Sequence, residues 1–220
     1  MIKALVFDVD GVLLKSMMFG RVLERDFGIT PEATAPFFHG PFEQCLLGKA
    51  DLREALGPFL KEWKWPHSID EFIRRWFAAD ALPNAPLLEF AKAMRECGMP
   101  CYVASTQEHE RASYLESLPG FAGVFERSFF SCRFGYAKPQ RAFYDRIVAE
   151  TGHSPGDLLF FDDRQPNVVA ARDAGWNAEL YEWGMDLTEA LTRHDVPHRH
   201  VWAGAPAGSM RAPTHAGAGS

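Results

Sequence analysis

The chain has 220 residues, of which 47% are hydrophobic and 13% aromatic, enough to fill one large domain or a domain carrying a sizeable insertion. Its net charge of −6 argues against broad electrostatic attraction to nucleic acid or to anionic membrane. No stretch approaches the roughly 20 apolar residues of a membrane span. The N-terminus reads as a strand rather than a signal peptide, so a soluble, cytoplasmic protein is expected.

In chain order, Ile2 to Val6 is a short apolar run suited to a buried strand. It leads into Asp8-Val9-Asp10-Gly11, where the chain must turn. From about Met17 to Phe27 apolar residues recur at helical spacing, with Gly28 as a stop. Residues 29–50 are broken by Pro31, Pro36, Gly40, Pro41 and Gly48 but rich in Phe. Two further helices are predicted over Ala50 to Trp63 and Ser68 to Ala79, the second opening on a capping box, Ser68-Ile69-Asp70-Glu71. Residues 15–82 therefore read as an all-helical insertion without a convincing strand. Pro83-Asn84-Ala85-Pro86 returns the chain to the main domain.

Helices and strands then alternate. Helices are predicted at Leu87 to Cys97, Glu108 to Leu118, Gln140 to Thr151 and Asn167 to Ala174. Strands are predicted at 100–104, Phe129-Phe130, 158–161 and 178–181. Apolar strands alternating with helices imply an α/β, Rossmann-like parallel sheet covered on both faces, formed by 1–14 and 83–200. Residues 201–220, rich in Ala, Gly, Pro and Ser, are expected to be a disordered tail. The histidine-bearing stretch from Arg193 to His200 lacks metal-site spacing and reads as solvated. Cys45, Cys97, Cys101 and Cys132 form no CxxC pair, and free buried thiols in a reducing compartment are expected.

Ligands bind at the carboxyl ends of strands in such a sheet. Asp8 and Asp10 sit two apart, initially on one face, where two acids would want a cation such as Mg²⁺; a solvated turn pair is the other reading. Ser105-Thr106 precedes a helix and either caps it or helps hold an anion. Lys138-Pro139 opens a helix, a place the helix dipole weakly disfavours for lysine, so a solvated side chain and a site lysine remain equally open. Asp162-Asp163, with Asn167 following, ends an apolar strand and is better explained by metal binding than by packing.

With these residues in this order, the chain resembles the haloacid dehalogenase superfamily over roughly residues 1–190. Asp8-Val9-Asp10-Gly11-Val12 is similar to its first motif, Ser105 to its second, Lys138-Pro139 to its third, and Phe161-Asp162-Asp163 with Asn167 to its fourth. The helical segment 15–82 resembles the C1 cap, a lid over the active site. Phe160 to Gly175 and Ser105 to Leu115 look most like small sugar-1-phosphate-type phosphatases, except that Thr106 stands where these often carry Asn.

The resemblance implies a Mg²⁺-dependent phosphatase acting on a small phosphorylated metabolite, a sugar phosphate or similar. Asp8 would be the nucleophile and Asp10 the general acid and base. Lys138 would offset negative charge and, with Ser105 and Thr106, bind phosphate. Asp8, the backbone carbonyl of Asp10 and Asp163 would hold Mg²⁺, with Asp162 and Asn167 in support. The cap would set substrate choice by packing over the leaving group. A phosphomutase shares this machinery. A haloacid dehalogenase would do without the second acid, Asp10. A non-catalytic binding module would bind its partner unchanged after Asp8→Asn, and a receiver domain distributes its acids differently along the strands.

Overall fold

The computed structural model describes residues 1–15 and 18–198. Its centre is a five-stranded, wholly parallel sheet in the order β5-β4-β1-β6-β7: β1 (Ala4–Phe7), β4 (Cys101–Ser105), β5 (Arg127–Phe130), β6 (Leu158–Asp162) and β7 (Asn177–Leu180). Every residue of β1, β4 and β6 is buried, which is why these strands read as continuous apolar runs instead of alternating ones.

Alternation still decides which layer each side chain enters. Leu5, Phe7, Val103, Leu159 and Phe161 pack with α6 (Ala85–Glu96), α7 (His109–Ser117) and α11 (Thr188–Arg193). Ala4, Val6, Ala104, Leu158 and Phe160 pack on the other face with α9 (Arg141–Thr151) and α10 (Gln165–Asp173). The expected doubly covered parallel sheet is therefore observed. Strand β1 is central, and the chain leaves it first toward β4 and later toward β6, so connections diverge to either side of it.

The helical segment contains α1 (Phe19–Phe27), α2 (Pro31–Phe38), α3 (Pro41–Leu46), α4 (Leu52–Glu62) and α5 (Ile69–Ala79). It has its own apolar core, including Phe19, Phe37, Leu56, Trp63, Trp65 and Phe72. Most of its aromatic load is spent internally: the Phe37 ring lies 5.1–6.0 Å from those of Phe38, Phe42, Phe59 and Trp63. Prolines at N1 of α2 and α3 explain how a Pro-broken stretch still forms helices, because the first helical residue needs no N–H. At α5 the Ser68 hydroxyl accepts the Glu71 N–H at 3.2 Å, but Glu71 turns its carboxylate to Arg74 and Arg75, so only half of the expected box forms.

Segment 15–82 is not wholly helical. Leu14–Lys15 (β2) and Leu82–Pro83 (β3) pair antiparallel, joining entry and exit at one neck. Asn84 secures it, donating through Nδ2 to the Val12 carbonyl at 2.9 Å and to the Tyr181 hydroxyl at 2.8 Å. Two-residue strands are too short to carry a sequence period. The same is true of α8 (Ser131–Phe134), while α11 falls in a stretch for which no element is predicted. In the segment read as solvated, Arg193, Asp195 and Pro197 are exposed, while Val196 is buried and His194 lies 2.7 Å from Glu179. Cys45, Cys101 and Cys132 are buried free thiols; Cys97 is exposed. Met17, predicted to open the first helix, and the predicted tail 201–220 lie outside the described residues.

Candidate active site

The site is assembled by strand register. Phe7 of β1 pairs with Phe161 of β6, and the Asp8 N–H donates to the Phe161 carbonyl at 2.9 Å, so Asp8 and Asp162 end adjacent strands side by side. Both continue the alternation of the face covered by α9 and α10. Lys138, just before α9, reaches them there: its Nζ lies 2.7 Å from Asp8 Oδ1 and 2.6 Å from Asp162 Oδ2. Its side chain is only 2% exposed, which rules out the solvated reading of this lysine. Burial acts to lower the Lys138 pKa, but the two carboxylates outweigh it and raise it. Burial pushes the Asp8 carboxyl up to about 7, Lys138 pulling it down and Asp162 and Asp10 adding to the rise.

Asp162 is fully buried and saturated. It accepts from Lys138, from the Arg164 N–H at 2.9 Å, and from Asn167 Nδ2 at 2.9 and 3.1 Å on its two oxygens. Asn167 is thus a support for Asp162. Asp163 is more exposed, and burial raises its pKa, with Asp162 contributing. Asp8, Asp162 and Asp163 each bring a carboxylate oxygen within 4.8 Å of the others. Three acids face one ammonium, and hard oxygen donors in negative excess suit a divalent cation such as Mg²⁺. Since Asp162 is spent on Lys138 and Asn167, Asp8 and Asp163 have oxygens to spare. Gly11 makes room for this cluster: a Cβ there would lie 2.1 Å from Asp163 Oδ2.

On the other side of Asp8, Asp10 is partly exposed and accepts from Gln107 Nε2 at 2.6 Å through Oδ2. Gln107 Nε2 also lies 3.0 Å from Ser105 Oγ. Arg111 approaches Asp10 Oδ1 at 3.7 Å while donating to the carbonyls of Phe77 and Asp80 in the helical segment. Thr106 Oγ1 is buried without a hydrogen-bond partner, a state that an incoming acceptor would relieve.

Of the eight residues singled out from sequence, seven lie at the carboxyl ends of β1, β4 and β6 or in the first turn of α10, and Lys138 lies just before α9. The cap of α7 is Glu108, which accepts the Glu110 and Arg111 N–H groups, so Ser105 is free of the capping role. Sequence reasoning missed Gln107, Glu108 and Arg111. The spacing of two between Ser105 and Gln107 is the one signal that would have offered Gln107.

The family model described as "haloacid dehalogenase-like hydrolase" matches residues 2–175. Among curated proteins, the chain is 26% identical over 200 residues to bifunctional epoxide hydrolase 2 of Mus musculus, covering 79% of this chain and 35% of that protein, so it spans about a third of that relative's length. It is 22% identical to a sesquiterpene phosphatase of Aspergillus oryzae, over 86% of this chain and 91% of that one. Among solved structures, a HAD family enzyme from Bacteroides thetaiotaomicron, in complex with magnesium and inorganic phosphate, superposes with a TM-score of 0.74 at 19% identity, covering 86% of this chain and 98% of that chain.

Proposed function

The chain belongs to the haloacid dehalogenase-like hydrolase family, and from that premise we propose that it is a Mg²⁺-dependent phosphatase of a small phosphate monoester, a sugar phosphate or similar metabolite. The observation that carries this reading is the excess of carboxylates, Asp8, Asp162 and Asp163, over the single buried ammonium of Lys138. Asp8, Asp163 and the backbone carbonyl of Asp10 would hold the ion, which when bound supplies positive charge against the phosphate oxygens.

Asp8 is the nucleophile. Both of its close polar contacts use Oδ1, on the Val9 N–H at 2.7 Å and on Lys138, which leaves Oδ2 to attack phosphorus and form an aspartyl-phosphate. Lys138 holds Asp8 in place and offsets its charge, an attraction of about 4 kcal/mol at 4 Å and an effective dielectric near 20. Asp10 protonates the leaving oxygen and then takes a proton from the water that releases phosphate. Ser105 and the unpartnered Thr106 hydroxyl donate to phosphoryl oxygens.

Residues 15–82 act as a cap over this centre and choose the leaving group. Supporting this are three ties to the core: Arg53 to Glu110 at 2.8 Å, Arg111 to the Phe77 carbonyl at 2.8 Å, and Ser131 to the Leu46 carbonyl at 2.6 Å. Among the described residues no helix is long and apolar enough to cross a membrane.

Phosphate release from a panel of phosphomonoesters, with and without Mg²⁺, tests the reading. Release by wild type that is lost on chelation and in Asp8→Asn is expected. Release that persists in Asp8→Asn would overturn the mechanism, and no release from any ester would overturn the phosphatase assignment.

A further inference from the structure

Gln107 is nearly enclosed, at 4% exposure, and both donors of its amide are spent. Nε2 donates to Asp10 Oδ2 at 2.6 Å and to Ser105 Oγ at 3.0 Å. The amide has one sensible orientation, since turned over it would set its carbonyl oxygen against the Asp10 carboxylate. Because Ser105 Oγ accepts from Gln107, the Ser105 hydroxyl proton is directed elsewhere. One side chain thus fixes both Asp10 and Ser105.

The backbone of Gln107 is tied to the cap. Its N–H donates to Ser131 Oγ at 3.0 Å, and Ser131 Oγ donates to the carbonyl of Leu46, the last residue of α3, at 2.6 Å. The Gln107 carbonyl, 3.2 Å from Ser131 Oγ, is the alternative acceptor for that hydroxyl once Leu46 departs. Cap and core backbones meet closely here: a Cβ on Gly48 would lie 2.1 Å from the Cys132 carbonyl oxygen.

We infer that Gln107 is a positioning residue that orders Asp10 and Ser105 together, and that Ser131 links this order to the docked cap. The inference rests on the phosphatase reading of the site. Proton transfer to the leaving group matters most when that group is poor. In the full chain with Mg²⁺, Gln107→Met, close in shape but without donors, is expected to lower kcat/KM, which ends at departure of the leaving group, roughly 10–100-fold for an alkyl phosphate. For p-nitrophenyl phosphate, whose leaving group needs little protonation, the loss in kcat/KM is expected to stay at about fivefold or less, the share that Ser105 carries. Equal losses on both esters would reveal a merely structural role and overturn the inference, as would no loss.

Ser131→Ala, followed by amide hydrogen exchange, reads the link to the cap. Faster exchange in both 44–49 and 105–108 is expected, and faster exchange in 44–49 alone overturns the coupling. If wild type releases phosphate from no ester of the panel, the phosphatase reading fails on its own. The positioning role is then read from calorimetric binding of inorganic phosphate to the Mg²⁺-loaded protein. Binding about fivefold weaker in Gln107→Met is expected from the lost orientation of Ser105, and equal affinity overturns it.

Discussion

Asp163 Oδ2 occupies the space that a methyl group on Gly11 would need, 2.1 Å from where that Cβ would stand. Gly11 also has φ +83°, a conformation that costs a residue with a side chain about 1 kcal/mol. Asp163 is the free end of an exposed side chain and can swing away, so Gly11→Ala is expected to fold. It is expected to lose the response to Mg²⁺ instead. An ion at 100 times its Kd raises stability by about 2.7 kcal/mol. Thermal melts with Mg²⁺ and with a chelator should show that rise in wild type and little of it in Gly11→Ala. A full rise in the variant would remove Asp163 from the metal-holding set.

Lys138 is the sole cation within hydrogen-bonding distance of Asp8 and Asp162 among the described residues. Lys138→Ala leaves two buried carboxylates facing each other, and breaking a buried pair in this way costs about 3–5 kcal/mol. Adding Asp162→Asn to Lys138→Ala is expected to recover part of the loss, because it removes one of the two stranded charges. Urea denaturation of the two variants checks this, and no recovery would mean that Lys138 acts through packing alone.

Glu108 supplies a pH dependence. Burial lifts its carboxyl from 4.5 to about 7, against the N–H groups of Glu110 and Arg111 that favour the ionised form. Below about pH 4.5 folded and unfolded chains both hold the proton. Between there and pH 7 only the folded chain keeps it, so this residue's contribution to stability falls as pH rises, and the loss is complete above about 7. Glu108→Gln keeps a capping oxygen and removes the titration. Its stability relative to wild type is expected to improve by roughly 2–3 kcal/mol between pH 4 and pH 8. Urea midpoints across that range measure the difference, and parallel curves for the two proteins would refute it.

Arg111 clamps the neck of the cap. It donates to the carbonyls of Phe77 and Asp80, and the Asp80 carboxylate accepts the Met18 and Phe19 N–H groups at 2.7 and 3.1 Å. Arg111→Lys keeps the charge but not the fork that spans two carbonyls. Amides around 77–80 and 18–19 are expected to exchange faster, by the equivalent of about 1–2 kcal/mol, with α9 and α10 unchanged. Uniformly faster exchange would mean global destabilisation instead.

The sheet was legible because β1, β4 and β6 are covered on both faces, so apolar runs bounded by turns named them directly. The acids at the ends of β1 and β6 were legible for the converse reason, since carboxylates closing an apolar strand have no packing use. Lys138 was not decidable from sequence: a lysine before a helix looks solvated, and its burial follows only from the face that α9 covers. Gln107 was offered only by its spacing of two from Ser105, and its partners Asp10 and Ser105 come together only through the pairing of β1 with β4. Gly11 was readable as a turn, but its vacancy for Asp163 depends on β6 lying alongside β1.

The pairing of Phe7 with Phe161 has a consequence for how such a chain tolerates change. Adjacent strands lie about 4.8 Å apart whatever side chains they carry, so the gap between Asp8 and Asp162 is ruled by peptide groups. Apolar residues in β1 and β6 are free to drift among Val, Ile, Leu and Phe, at some cost in stability, without resetting that gap. A single inserted residue in either strand would preserve every acid in the sequence, yet turn one of them to the opposite layer, away from Lys138.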